Sequence, residues 1–312
     1  MLQRTHDRKN IDTLLEHLRT TAVERDRAGG HPAAEKALLR DHGLLVLSVP
    51  QELGGTGADW PDILATVRRI ATVDSSLAHL LAFQHLQLSG VLAYGSAEQQ
   101  DRWLGDTVRD HLWWGNTANP ADPRLRATES NGGLLLNGIK GFCSGTRGSQ
   151  RLLTTAIHEP TGQMLIAVLP TETPGITIHD DRVYLLVAEG AAVPDGTPSG
   201  VTVLHQPLDQ IYLVAAAAMD YFDKLNAIDD DWDPIGQRQT DSTSVSFDNV
   251  PLAWSDVLHR PGAPSSPFRS LRGLLAQLIL VNLYTGLAQG ALAEARQYTL
   301  NEARPWAASG VA

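Results

Sequence analysis

Residues 137–145, NGIKGFCSG, decide the fold. An Asn-Gly pair is a turn signal, a short β-run follows it, and Phe142 and Ser144 alternate before Gly145. A second stretch far along the chain, residues 235–250, IGQRQTDSTSVSFDNV, reads as another strand of the same domain.

Working outward, the residues before this β segment follow a different rule. From Ile11 to Trp103 apolar side chains recur at helical spacing, as in Ile11, Leu14, Leu15 and Leu18, then Ile63, Val67 and Ile70, then Leu77, Leu80, Leu81, Leu88 and Leu92. Breaks fall at Gly29-Gly30-His31-Pro32, at Gly54-Gly55-Thr56-Gly57 and at Tyr94-Gly95, where Ser96 is placed to cap a helix with Glu98 and Gln99 in its first turn. After Asp110 short apolar runs take over, giving candidate strands at 112–115, 134–136, 139–143, 152–157, 164–169, 175–179 and 242–247, and an antiparallel barrel or sandwich is expected. The helical period returns after Pro267 in Leu274, Leu278, Val281, Leu283, Leu287 and Leu292. The expected fold is α+β: a helical domain over 1–110, a β domain over 111–260, and the start of a helical bundle over 261–312.

A chain of 312 residues exceeds what one hydrophobic core usually holds, in line with this division. Its 43% hydrophobic content is ordinary for a globular protein, and no apolar run is read as long enough to span a bilayer. The first residues, MLQRTHDRKN, lack the apolar centre of a signal peptide, so a cytoplasmic protein is the simplest expectation. One cysteine, Cys143, excludes an internal disulfide framework. A net charge of −10 argues against nucleic acid as a partner.

The order helices, β domain, helices resembles the acyl-CoA dehydrogenase fold, and separate segments resemble that family in the right order. HGLLVLSVPQELGGTGADW (42–60) looks like its first helix-to-loop crossover, AVLPTETPGITIHDD (167–181) and WDPIGQRQTDSTSVSFDNVPL (232–252) like its middle domain, and GLAQGALAEARQY (286–298) like the opening helix of its C-terminal bundle. The Phe-x-Ser-Gly ending of 137–145 leans toward the family's oxygen-using branch, the dibenzothiophene and sulfone monooxygenases. Two features depart from the pattern. Residues 182–229 are an insertion with apolar runs at 183–187 and 201–204 and a helix expected near 211–225; loops tolerate such excursions at small entropic cost. The acidic repeats beside it, His179-Asp180-Asp181 and Asp229-Asp230-Asp231, lack a closed metal-site spacing and read as solvated loop, so no metal is expected. The second departure is that the residues after Phe268 suffice for one long helix and part of another, so the bundle reads as truncated: either the chain is a fragment, or its apolar stripe borrows helices from a partner.

The resemblance implies site residues. Phe142 packs at the flavin or substrate, and Ser144 hydrogen-bonds near the reactive edge; composition alone would make Phe142 core and Ser144 a strand-end hydroxyl. Asn116 stands in the loop where dehydrogenases carry a Thr-Glu pair and resembles the flavin-contacting asparagine of the monooxygenases. Trp232 walls the flavin, and Ser242 or Thr243 binds phosphate or ring oxygens. Arg238 serves either as a phosphate ligand or as a salt-bridge anchor. Gln277 occupies a position where dehydrogenases carry a flavin-binding side chain. His85 resembles a substrate-facing histidine of that branch, against the alternative of a buried histidine satisfied by a backbone carbonyl. Together His85 and Ser144 are the catalytic candidates, and Asn116, Phe142, Ser144, Trp232, Arg238 and Ser242 the cofactor-binding ones. Glu302 stands where dinucleotide-binding members carry arginine, and its charge would repel a pyrophosphate, which favours FMN over FAD.

The expected function is therefore a flavin-dependent monooxygenase that uses reduced FMN and oxygen on a small organosulfur or similar apolar compound. The absence of a Gly-x-Gly-x-x-Gly fingerprint in this sequence suits a separate flavin reductase as partner. Homo-oligomers, dimers or tetramers, follow from the resemblance. The alternatives are an FAD-dependent acyl-CoA dehydrogenase and a catalytically inactive member that acts as a binding protein.

Overall fold

The computed structural model describes residues 2–179, 184–188, 202–206, 236–263 and 267–303. Five helices come first: α1 (Leu2–Ala28), α2 (Ala33–Asp41), α3 (Trp60–Ala71), α4 (Ser75–Tyr94) and α5 (Ala97–Asp110). Side chains set their starts. Asp59 accepts from the Asp62 amide and Asp74 from the Leu77 amide, and Ser96 with Gln99 forms the reciprocal capping box the sequence announces. Helix α4 is apolar nearly all round and is accordingly central, with Leu77, Leu81, Leu88 and Val91 fully buried. Besides Ser76 in its first turn, the polar residues Gln84, His85 and Gln87 are fully buried within it.

The middle of the chain forms β1 (Trp114–Thr117), β2 (Arg126–Ser130), β3 (Gly133–Lys140), β4 (Arg151–His158), β5 (Gln163–Pro170), β6 (Ile176–Ile178), β7 (Tyr184–Ala188), β8 (Thr202–Gln206), β9 (Val245–Leu252) and β10 (Val257–His259). The main sheet runs β10-β5-β4-β2-β3-β9-β6, with β1 also on β4. It is mixed, which corrects the expectation of an antiparallel barrel or sandwich: β1 and β2 both run parallel to β4. The reason lies in the connections. β2 and β3 form a hairpin, the chain returns through residues 141–150, and β4 therefore starts in the direction of β2. β1 takes the first half of β4 (Trp114↔Arg151 to Thr117↔Thr154) and β2 the far end (Arg126↔Ile157), so both lie along one side of β4 with a loop between them.

Asn137-Gly138 is not a turn either. β3 runs through it, and the pairing with β9 slips between Leu136 and Gly138, a bulge. Gly138 has φ 128, and a Cβ there would lie 2.2 Å from the Arg124 carbonyl oxygen, so only glycine fits. The hairpin turn comes earlier, at Asn131 and Gly132.

The insertion contributes β7 and β8, a parallel pair of its own with Tyr184↔Thr202 in register. The helix expected at 211–225 and the residue Trp232 lie outside the described residues.

The long helix α6 (Pro267–Asn301) closes the described chain. Ile279 and Leu283 are fully buried in the core shared with α3 and α4, each contributing about 1.5–3 kcal/mol. Gly286 and Gly290, one turn apart, let α6 meet backbone directly: a Cβ at the first would sit 2.3 Å from the Arg68 oxygen, at the second 2.2 Å from that of Thr72. Along another face Leu274, Leu278, Val281 and Tyr284 are each at least half exposed. By length and composition Leu271–Asn301 could cross a bilayer, which corrects the expectation that no segment could. One face is nonetheless committed to α3 and α4.

Candidate functional site

The two strand segments singled out in the sequence meet. β3 and β9 pair as far as Lys140↔Val245. Beyond that point the Cys143 amide donates to the Thr243 carbonyl (2.9 Å) and the Gly145 amide to that of Thr240 (3.2 Å). The Ser144 and Ser242 hydroxyls lie 2.7 Å apart, and Ser242 donates onward to Thr240 Oγ1 (2.9 Å). Asn116, at the end of β1, donates its amide to the Ser144 carbonyl (3.1 Å). Asn116, Ser144 and Ser242 are thus brought together, and Thr243 adds a buried hydroxyl with no hydrogen-bond partner among the described residues.

Phe142 departs from the expected strand. The strand stops at Lys140, Phe142 takes a left-handed φ of 56°, and its side chain is 65% exposed. A phenylalanine in that region is strained by about 1–2 kcal/mol, and its exposure leaves an apolar side chain two residues from Ser144 rather than in the core.

Buried cations brace this wall from behind. Lys140 donates to the carbonyls of Asn119 (2.6 Å) and Asp122 (2.5 Å) and to Thr155 Oγ1 (3.2 Å), which accounts for its three protons and pins the loop between β1 and β2. Lys36, from α2, donates to the carbonyls of Arg147 (2.7 Å) and Gly145 (3.2 Å) and lies 4.9 Å above the Trp113 ring. Burial pushes its pKa down to about 7, against the pull of Asp241. Asp241 in turn faces Arg147 (3.1 Å) and His31 (3.9 Å). Arg25 of α1 joins Asp74 (2.7 Å) to Gln239 (2.6 Å), tying the helices to the turn before Ser242.

The remaining candidates lie elsewhere. Arg238 binds Asp26 of α1 through its backbone amide (3.0 Å) and its guanidinium (3.5 Å), the anchor arrangement. His85 is fully buried, with Nε2 donating to the Leu44 carbonyl (3.0 Å) and Nδ1 accepting from Ser48 (2.9 Å). Burial takes its pKa down to about 4, so the ring is neutral near pH 7. Both ring nitrogens are engaged within the helical domain, and no hydrogen bond joins His85 to Asn116, Ser144 or Ser242 among the described residues. Gln277 and Glu302 are exposed on α6 and just past its end.

Sequence reading missed Gln87 and Arg272. Gln87 Nε2 donates to Asn116 Oδ1 (3.2 Å), and Arg272 of α6 donates to Gln87 Oε1 (3.1 Å). The signal was present: a polar residue inside the apolar run of α4 must find a partner.

Comparison with known proteins identifies relatives of the chain. The family described as acyl-CoA dehydrogenase, N-terminal domain, matches residues 8–111. A probable FMNH2-dependent monooxygenase, SfnC of Pseudomonas putida, is 39% identical over 293 residues, 94% of this chain and 62% of that protein. Methanesulfinate monooxygenase MsuC from Pseudomonas fluorescens superposes with a TM-score of 0.78 at 38% identity, covering 97% of this chain and 66% of that one. FMN-bound TdsC from Paenibacillus sp. A11-2 gives 0.76 at 31% identity, covering 98% and 68%. The chain therefore spans roughly two thirds of the length of the relatives it matches.

Proposed function

Because the chain belongs to the acyl-CoA dehydrogenase-like flavoprotein family, in its flavin-dependent monooxygenase branch, we propose that it oxygenates a small organosulfur or similar apolar compound with reduced FMN and O2. The observation that carries this reading is the Ser144–Ser242 hydroxyl pair, closed on one side by Asn116 and opening beside the exposed Phe142. A flavin needs an apolar wall and a few neutral hydrogen-bonding groups at its ring edge. Phe142 supplies the first. Ser144, Ser242 and Asn116 supply the second, and the Thr243 hydroxyl, without a hydrogen-bond partner among the described residues, is a polar group of the kind a ring oxygen or phosphate satisfies.

When bound, reduced FMN supplies two electrons to O2, one oxygen atom going to the substrate sulfur and the other leaving as water. The chain's own task is to orient and to exclude water, which neutral donors on a buried wall do without drawing in ions. Trp232 is proposed as a further wall of the flavin, and Ser144 and the neutral His85 as the catalytic residues. SfnC and MsuC, by name an FMNH2-dependent enzyme and a methanesulfinate monooxygenase, support FMN and a sulfur compound. Glu302 disfavours a second phosphate, and so FAD. A separate flavin reductase is the proposed partner. The exposed apolar stripe of α6 supports a dimer or tetramer, and the cytoplasm is the proposed location.

Titration of the protein with FMN and FAD, followed by absorbance and fluorescence, tests the reading. FMN binding with oxygen-dependent turnover of a sulfinate or sulfone, driven by a reductase, is expected. Dye reduction by acyl-CoA thioesters instead would establish a dehydrogenase, and failure to bind either flavin would leave a binding protein.

A further inference from the structure

The Asn116 amide has two ends, and the structure determines which one is left for a ligand. Its Oδ1 accepts from the Ala118 backbone amide (3.2 Å) and from Gln87 Nε2 (3.2 Å). A backbone N–H can only donate, so the atom facing Ala118 is oxygen. The second constraint arrives from α6. Arg272 reaches Gln87 at 3.1 Å, and a guanidinium carries donors and no acceptor. Gln87 must therefore turn its oxygen to Arg272 and its NH2 to Asn116. The two constraints agree, and Gln87 is fully buried, so no water competes for either of its groups. Gly90 lies beside this crossing, a Cβ there standing 3.4 Å from Arg272 Nε, in ordinary contact.

We propose that Arg272 and Gln87 are positioning residues that lock Asn116 with its NH2 toward the reactive edge of the flavin, so that this edge meets a donor and never the amide oxygen. The inference rests on the flavin reading above. Helix α6 then does more than cover the core: its guanidinium, two hydrogen bonds away, sets the polarity of a group in the site.

Gln87→Glu tests the lock with almost no change of shape. The introduced carboxylate still accepts from Arg272 but cannot donate to Asn116, so Asn116 turns its NH2 to that carboxylate and away from the ligand. FMN affinity is expected to fall about fivefold, the loss of one hydrogen bond, in Gln87→Glu and in Arg272→Met, with Arg272→Lys within about twofold of the wild type. In an Asn116→Ala background the same changes should alter affinity by less than about twofold. A second readout needs no flavin: the side-chain amide resonances of Asn116, identified by their loss in Asn116→Asp, should shift in Gln87→Glu and Arg272→Met while the melting temperature holds. Wild-type affinity in both variants, an equal loss in the Asn116→Ala background, or unmoved amide resonances would overturn the lock. A wild type that binds no FMN would overturn the cofactor reading, and the amide resonances then decide the lock alone.

Discussion

At the scale of single residues the site is a set of neutral groups held by buried charges. Ser144→Ala removes one of two facing hydroxyls while Ser242 keeps its bond to Thr240, so FMN affinity should fall about fivefold with little change in the melting temperature, as fluorescence titration and calorimetry would show. Lys140→Met leaves two carbonyls and a hydroxyl without their donor; urea unfolding should register a loss of about 2–4 kcal/mol. His79, half-buried and stacked on Phe83 at 4.3 Å, and His85, fully enclosed, are both desolvated, and this lowers each pKa from 6.5 to about 4. The unfolded chain binds protons there that the native chain refuses. Their stabilisation is complete above pH 6.5 and declines as the pH falls toward 4, by up to about 1.4 kcal/mol per pH unit for each ring. Urea midpoints at about pH 7, 6 and 5 check this, and His79→Leu should flatten the decline. Ser144, Ser242 and Asn116, which the structure brings together, were singled out from sequence because local motifs carry them. Gln87 and Arg272 were not, because their meaning arises only where α4, α6 and β1 cross.

At the scale of elements, periodicity located the helices and most strands because apolar spacing reports burial directly. Parallel pairing was hidden, since β1 and β2 share the side of β4 through a connection whose path no local pattern encodes. The Asn137-Gly138 pair misled for a related reason: the same residues serve a turn or a bulge, and the close approach of Arg124 selects the bulge. The Gly286–Gly290 contact makes its own prediction. Gly286→Ala places a methyl against the Arg68 carbonyl, so α6 must shift, at a cost of about 1–3 kcal/mol in urea unfolding. Because Arg272 rides on the same helix, FMN affinity should fall with it.

At the scale of the whole molecule, the fold class was readable from the order of its segments, and the exposed stripe of α6 was foreshadowed by an apolar period with too few partners nearby. If that stripe mediates self-association, Leu274→Glu with Leu278→Glu should shift the sedimentation profile toward monomer while FMN binding persists. The insertion is a different matter. Its chain leaves and returns at neighbouring points of the sheet, because His179 donates to the Ser244 carbonyl at 2.9 Å and Ile178 pairs with Val245. The site therefore cannot exist until that long excursion has come back, so Ser144 waits for Ser242 during folding. Closure entropy grows only logarithmically, about 0.6 kcal/mol for each doubling of the loop. The excursion thus weighs little on equilibrium and chiefly on timing: the first five helices and β1 to β5 precede it in the chain and can form before it closes, whereas the contact of Ser144 with Ser242 must follow it.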